Sequence, residues 1–242
     1  LGASILLGGL KNGNQKFSAS IAGINAAMLA IIAAGLALPT IFRVTPPEEG
    51  SAATEYLSIS VAVVLIVLYA LYLLFYLRRQ GQPGGEEEPP FGIVASLVLL
   101  LGTTAAVAYV SEAFVGAIEP LVAEIGISEL FIGVILVPIV GNIAEHVVGV
   151  QIAYKNNMDF SMAVSLGSSL QVALLVTPIL VFLGPLLGHP LDLAFSPLEL
   201  GSLGAAVIVT AFVALDGESN WLEGAMLCGV YAIAALAFFF SP

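Results

Sequence analysis

Charged residues are scarce in this chain. They make up 10% of its 242 residues, whereas soluble domains carry about 25%. Six Lys and Arg stand against 17 Asp and Glu, which leaves no basic patch, so we expect no nucleic-acid partner. The single cysteine, Cys228, excludes an internal disulfide. The first ten residues lack the basic start and cleavage site of a signal peptide, so we interpret them as the end of a membrane-spanning helix.

Long apolar runs take up most of the chain. Hydrophobic residues make up 59% of it, in runs of about 20 residues that as helices can each cross a bilayer core of about 30 Å. We predict seven full spans after the leading fragment, at residues 17–42, 57–77, 91–116, 127–154, 158–183, 198–215 and 221–240. The sequence therefore predicts an all-α, multi-pass integral membrane protein in a lipid bilayer.

The basic residues predict the orientation of these spans, because Lys and Arg are enriched in cytoplasmic loops. One set of alternate loops carries only Arg43, and the other carries the remaining five. These five are Lys11, Lys16, Arg78, Arg79 and Lys155. Residues 80–90 belong to the basic set, and their Gly, Pro and Glu content, with a solvated run at Glu86, Glu87 and Glu88, predicts a cytoplasmic linker.

The linker divides the chain into two unequal parts. Residues 91–242 hold five spans, whereas residues 1–79 hold a fragment and two spans that look like the end of such a unit. Residues 5–10 faintly echo residues 179–186, and each run precedes a short polar gap and two more spans. An odd number of spans inverts the second copy, so we predict inverted repeats of five transmembrane helices, the first repeat being incomplete. We expect its missing N-terminal part, roughly 85 residues, to lie upstream.

One stretch of the fourth full span, VPIVGNIAEH, concentrates groups that are costly to bury. Its polar or helix-breaking members are Pro138, Gly141, Asn142, Glu145 and His146. An ionised carboxylate at the centre of a membrane helix costs about 3 kcal/mol, so such a group usually lines a polar cavity or an ion pathway. Pro138 cannot donate a backbone hydrogen bond and Gly141 has low helix propensity. We therefore predict a helix break just before Asn142, with freed carbonyls that line the site.

The spacing of these residues places them on one helical face. Pro138, Asn142 and Glu145 are separated by four and three positions, and His146 lies at the edge of the same face. Carboxylate, amide and carbonyl oxygens are ligands of calcium and suit zinc or copper poorly. Protons compete for such a carboxylate, because desolvation favours the neutral acid and a bound cation favours the ion. His146 either joins the site or only bonds a neighbouring helix.

A second polar band, SLGSSLQ, lies in the next span. Glu145 precedes the turn at Asn157 by about as many residues as Ser168 and Gln171 follow it. At 1.5 Å per residue both bands lie about 18 Å from the turn, so we expect them to face each other. Serine also serves close helix packing, and this interpretation stays open for Ser165 and Ser169.

On these residues the chain resembles the calcium/proton exchangers of the calcium/cation antiporter superfamily. The matching stretches are GNIAEH at 141–146, GSSLQ at 167–171, DGESNWLEG at 216–224, LGGLK at 7–11 and LPTIF at 38–42. The resemblance covers essentially the whole chain. It implies an equivalent Gly-Asn-x-x-Glu motif in the first repeat, which this sequence lacks, so we expect half of the site upstream.

The resemblance also implies a role for each site residue. Glu145 is the carboxylate that binds calcium and protons alternately. Asn142, Ser168 and Gln171 are further calcium ligands, and His146 is a candidate helper. This predicts a secondary active transporter, and no enzyme, that exchanges calcium for protons by alternating access, with calcium as its substrate and no cofactor.

Other functions are less favoured by the sequence. A sodium/calcium exchanger is the nearest alternative, and His146 with Gln171 in place of a second acid favours protons by resemblance. A passive cation channel stays open, whereas an intramembrane metalloenzyme would need a His-Glu-x-x-His arrangement that is absent. Short loops favour the cell membrane of a prokaryote over a vacuolar membrane, and the sequence leaves a homo-oligomer open.

Overall fold

The computed structural model of the protein describes residues 1–44, 50–79, 92–125 and 128–241. Within these ranges six helices are long and apolar enough to cross a membrane, or seven if one bent pair is a single span. This confirms the predicted all-α membrane fold. The expected linker at residues 80–90, with its three glutamates, lies outside the described residues.

The helices follow the apolar runs closely. Those before the linker are α1 (Gly2–Asn12), α2 (Ala19–Val44) and α3 (Gly50–Arg79). Those after it are α4 (Ile93–Ile125), α5 (Glu129–Phe131), α6 (Val137–Gly141), α7 (Ile143–Tyr154), α8 (Met158–Gln171), α9 (Thr177–Leu186), α10 (Pro197–Ala214) and α11 (Trp221–Phe239). The largest difference is α4, which continues to Ile125, whereas the predicted span ends at residue 116.

Side-chain caps begin the later helices. Ser196 and Glu199 form a reciprocal capping box at the start of α10, and Asn220 and Glu223 do the same for α11. Asn157 accepts a hydrogen bond from the backbone of α8. Such caps satisfy backbone N–H groups that have no partner inside the helix, so each span starts at a defined residue.

The helices on either side of the linker pack reciprocally. Of the first three, α1 packs on α11, α2 on α10 and α3 on α9. The first helix of one set therefore meets the last helix of the other, and the two middle helices meet each other. This is the pattern expected when α9 to α11 repeat α1 to α3 in inverted orientation.

A two-stranded antiparallel sheet closes one end of the helical bundle. β1 (Gln15–Lys16) pairs with β2 (Glu218–Ser219), so the connection from α1 to α2 contacts the connection from α10 to α11. We call this end the sheet end. At the opposite end, Thr40 Oγ1 accepts from the backbone of Phe195 at 2.8 Å, and Ser58 Oγ accepts from that of Leu193 at 3.0 Å.

Two apolar cores lie one above the other along the bundle. One core, towards the sheet end, includes Ile5, Met158 and Leu166, and the other includes Leu170 and Leu174. The change from one core to the other therefore falls between two successive turns of α8. The serine-rich band of this helix occupies the same turns.

Candidate cation site

The fourth predicted span is broken at Asn142. Here α6 ends at Gly141 and α7 begins at Ile143, with Asn142 between them at φ −111° and ψ 22°. The helical segments on either side are bent by 61°. The break predicted from Pro138 and Gly141 is therefore confirmed.

Prolines also widen both helices that carry the polar bands. A π-helical turn spans Ile132–Leu136, and another spans Val172–Val176. In each, the residue directly before a proline donates its N–H to a carbonyl five residues earlier, Val137 to Ile132 and Thr177 to Val172. Proline lacks an N–H and its ring crowds the carbonyl four residues before it, so the turn opens. Such π-helical turns are frequent at functional sites.

The Asn142 side chain donates a hydrogen bond to a backbone carbonyl beside the break. The carbonyl oxygen of Pro138 accepts from the backbone N–H of Asn142 at 3.1 Å and from its Nδ2 at 3.0 Å. The Pro138 carbonyl therefore has two donors, both from Asn142. The same bond fixes the amide, so Asn142 Oδ1 is left to accept from a ligand.

Glu145 lies in the first turn of α7 and is half-buried. Its carboxylate has neither a hydrogen bond nor an ion pair with any residue in the described ranges. The neighbouring His146 side chain is exposed. A half-buried carboxylate with no partner among the described residues fits the expected role of a cation ligand.

Helices α7 and α8 meet closely at Gly149. Ser161 Oγ donates to the Gly149 carbonyl at 2.8 Å, and a Cβ on Gly149 would lie 3.3 Å from Ser165 Oγ. The two helices run antiparallel, so one turn beyond this contact Glu145 comes level with Ser168. The contacts thus agree with the depth predicted from residue counting.

The serine band shows two different roles. Ser165 lies against Gly149, as the packing interpretation expects. Ser168 and Ser169 both donate their hydroxyl hydrogens to the Ser165 carbonyl, at 3.2 and 3.1 Å. Their oxygen lone pairs are then directed away from the helix backbone. Ser168 is half-buried and Gln171 is exposed, and neither oxygen accepts a hydrogen bond from the described chain.

The donor set near Glu145 is made of oxygen atoms. In the part of the chain that the structure describes, no three His, Cys, Asp or Glu side chains converge on one point. By residue spacing, the carboxylate instead shares a helical face with Asn142 and lies level with Ser168. Carboxylate, amide and hydroxyl oxygens suit a hard cation such as calcium. Sequence reasoning missed both π-helical turns, although Pro138 and Pro178 each lie two residues after one of them.

Known proteins resemble the chain over its whole length. Residues 95–240 match the family described as sodium/calcium exchanger protein. The Ca²⁺/H⁺ antiporter of Aphanothece halophytica is 37% identical, with 100% of this chain and 70% of the relative covered. That of Synechocystis is 40% identical over 100% of this chain and 71% of the relative.

Solved structures agree with these matches. The structure of native YfkE has a TM-score of 0.84 and 36% identity, with 99% of this chain and 70% of that one covered. The H⁺/Ca²⁺ exchanger CAX, at 18% identity and a TM-score of 0.68, shares the fold. The resemblance noted in the sequence is confirmed, and the chain belongs to the Ca²⁺/H⁺ antiporters of the sodium/calcium exchanger family.

Proposed function

We propose that this protein exchanges calcium for protons across a membrane by alternating access. The observation that carries the proposal is the Glu145 carboxylate, which has no partner among the described residues and lies beside a helix break, level with the serine band. The names of the relatives, Ca²⁺/H⁺ antiporters from two cyanobacteria, support the same cargo.

Four side chains are proposed as calcium ligands. They are Glu145, Asn142, Ser168 and Gln171, with Pro138 and Gly141 shaping the break beside them. Calcium takes about six to eight oxygens, so these four do not complete the shell. We assign the rest to the Gly-Asn-x-x-Glu motif expected in the first repeat.

Exchange follows from competition at one carboxylate. Calcium binds the ionised form of Glu145, so its entry displaces a proton, and a proton that binds after the site has turned to the other side displaces calcium. His146, the next residue along α7, is proposed to exchange protons with Glu145. The apparent KM for calcium should therefore fall as the pH rises.

We propose that the chain consists of two repeats joined by a linker. Residues 1–79 are assigned to the end of the first repeat, 80–90 to a cytoplasmic linker and 91–242 to the second repeat. The sheet end carries Lys11, Lys16 and Lys155, which supports a cytoplasmic location for it. Bacterial relatives support a prokaryotic cell membrane, although a yeast vacuolar transporter is also 34% identical.

Calcium uptake into inside-out vesicles tests the proposal. Uptake should require an imposed pH gradient, acidic inside, and should not change when sodium is added. The family also includes sodium/calcium exchangers by its description, and uptake that needs a sodium gradient would identify that activity instead. Uptake that is indifferent to both gradients would show a passive channel and contradict exchange.

A further inference from the structure

Side chains from the end of α1 and from the connection to α2 hold the end of α7. Asn12 Nδ2 donates to the carbonyls of Ala153 and Tyr154, each at 3.3 Å. Gln15 Nε2 donates to the Ala153 carbonyl at 2.8 Å and to Asn156 Oδ1 at 3.0 Å. The last carbonyls of a helix lack partners within it. Two amides from a distant part of the sequence therefore cap α7.

The surroundings of Gln15 leave its side chain little freedom. It is 1% exposed, and a Cβ on Gly8 would collide with its Oε1. Its partner across the sheet is Ser219. In the described chain, neither Gln15 Oε1 nor Ser219 Oγ has a hydrogen-bond partner. Burial and the two donated hydrogen bonds therefore fix the position of the Gln15 side chain.

Residues next to the turn between α7 and α8 also contact the region between α1 and α2. Asp159, in the first turn of α8, accepts from the backbone N–H of Ser18 at 2.6 Å, directly before α2. Lys11 Nζ lies 3.8 Å from the centre of the Tyr154 ring. The region between α1 and α2 therefore bonds to the end of α7, and the region between α7 and α8 bonds to the start of α2.

These contacts at the end of α7 affect the cation site through the helix itself. The helix is continuous from Ile143 to Tyr154, so a shift or rotation at Ala153 moves Glu145 with it. The two residues are about 12 Å apart along the axis. We propose that Gln15, helped by Asn12, is a positioning residue that sets the height and rotation of α7 and so holds Glu145 level with the serine band. This inference rests on the proposed function of Glu145.

Gln15→Leu tests the role of the amide, since leucine nearly keeps the volume and removes both donated bonds. Asn14→Leu is the matched control, because Asn14 lies in the same connection and is exposed. Exchange by the protein in proteoliposomes gives the KM for calcium and the maximal rate. We expect Gln15→Leu to raise the KM roughly tenfold, with the maximal rate within about twofold of wild type. Asn12→Ala should raise the KM roughly threefold, and Asn14→Leu should leave it unchanged.

The results separate the two proposals. An unchanged KM in folded Gln15→Leu would overturn the positioning role, as would a lower maximal rate at unchanged KM. If Gln15→Leu does not fold, Asn12→Ala decides by the same criteria, because it keeps the bonds of Gln15. If wild type shows no exchange, the proposed function fails. The rise in unfolding temperature on adding calcium then decides the positioning role, which requires that Asn12→Ala reduce this rise.

Discussion

Two polar regions beside α7 differ in the hydrogen bonds that their side chains make. At the sheet end, Asn12 and Gln15 donate to the last turn of the helix, and Gln15 is almost completely buried. Near the helix break, Glu145 and Gln171 are partly or fully exposed and have no partner in the described ranges. Polar groups that hold membrane helices together are bonded to protein, whereas groups that bind a transported ion remain free to bind it. The comparison predicts which variants lose transport and which lose stability.

The largest effect is expected at Glu145. Glu145→Gln keeps the size of the side chain but removes both the charge proposed to bind calcium and the group proposed to bind protons. Loss of one charge from a pair in a low-dielectric site costs about 3–5 kcal/mol, which corresponds to a loss of exchange of roughly 100-fold or more. Uptake into vesicles under a pH gradient measures it.

Glu55→Gln is the control for this variant, because it removes a carboxylate from an exposed position near the start of α3. It should exchange calcium at the wild-type rate. Undiminished transport by Glu145→Gln would contradict the central role of this carboxylate. It would also remove the contrast between the two polar regions.

A smaller effect, on stability alone, is expected where α1 and α11 touch. A Cβ on Gly224 would collide with the backbone of Leu6, whereas a Cβ on Gly229 of the same helix meets nothing within 4 Å. Gly224→Ala should therefore lower the free energy of unfolding by about 1–3 kcal/mol. Gly229→Ala should raise it by up to about 1 kcal/mol through helix propensity.

Unfolding of the two purified variants in detergent gives these values. Equal effects in both would show that the close approach of α1 to α11 does not limit packing. Asn12 is the last residue of α1. Weaker packing of α1 on α11 therefore also tests how firmly Asn12 and Gln15 hold the end of α7.

Two serines of α8 sharpen the comparison within one helix. Ser161 is fully buried and bonded to the Gly149 carbonyl, whereas within the described ranges Ser168 bonds only its own helix and lies level with Glu145. Ser161→Ala should lower the free energy of unfolding by about 1 kcal/mol and leave the KM for calcium unchanged. Ser168→Ala should do the reverse and raise the KM roughly fivefold. A pair of variants that both change the KM, or both change only stability, would contradict this division.

Sequence alone predicted the spans and the helix break because both depend on local features. Bilayer thickness sets the length of an apolar run, and Pro138 with Gly141 marks the interruption wherever the helix packs. The carboxylate of Glu145 stood out for the same reason, since an ionisable residue inside an apolar run is visible in the sequence itself. These features needed no knowledge of tertiary contacts.

The contacts at the sheet end could not be predicted in this way. Asn12 and Ala153 are separated by 141 positions, and nothing in either stretch indicates that the two connections meet. Likewise, the sequence predicts that Pro138 disturbs a helix, but it does not show that the Asn142 side chain donates to the Pro138 carbonyl. Such contacts depend on how the helices pack, which only the folded chain shows.

The smallest effect is expected from the ion pair at the sheet end. Lys16 Nζ lies 3.3 Å from Glu218 Oε1, with side-chain exposures of 82% and 44%. Exposed pairs contribute about 0–1 kcal/mol, because water and salt screen them and ordering two long side chains costs entropy. In a double-mutant cycle of Lys16→Ala and Glu218→Ala, we expect a coupling of about 0.3 kcal/mol that disappears in high salt. A coupling above about 1 kcal/mol would mean that charge as well as the buried amides holds this end together.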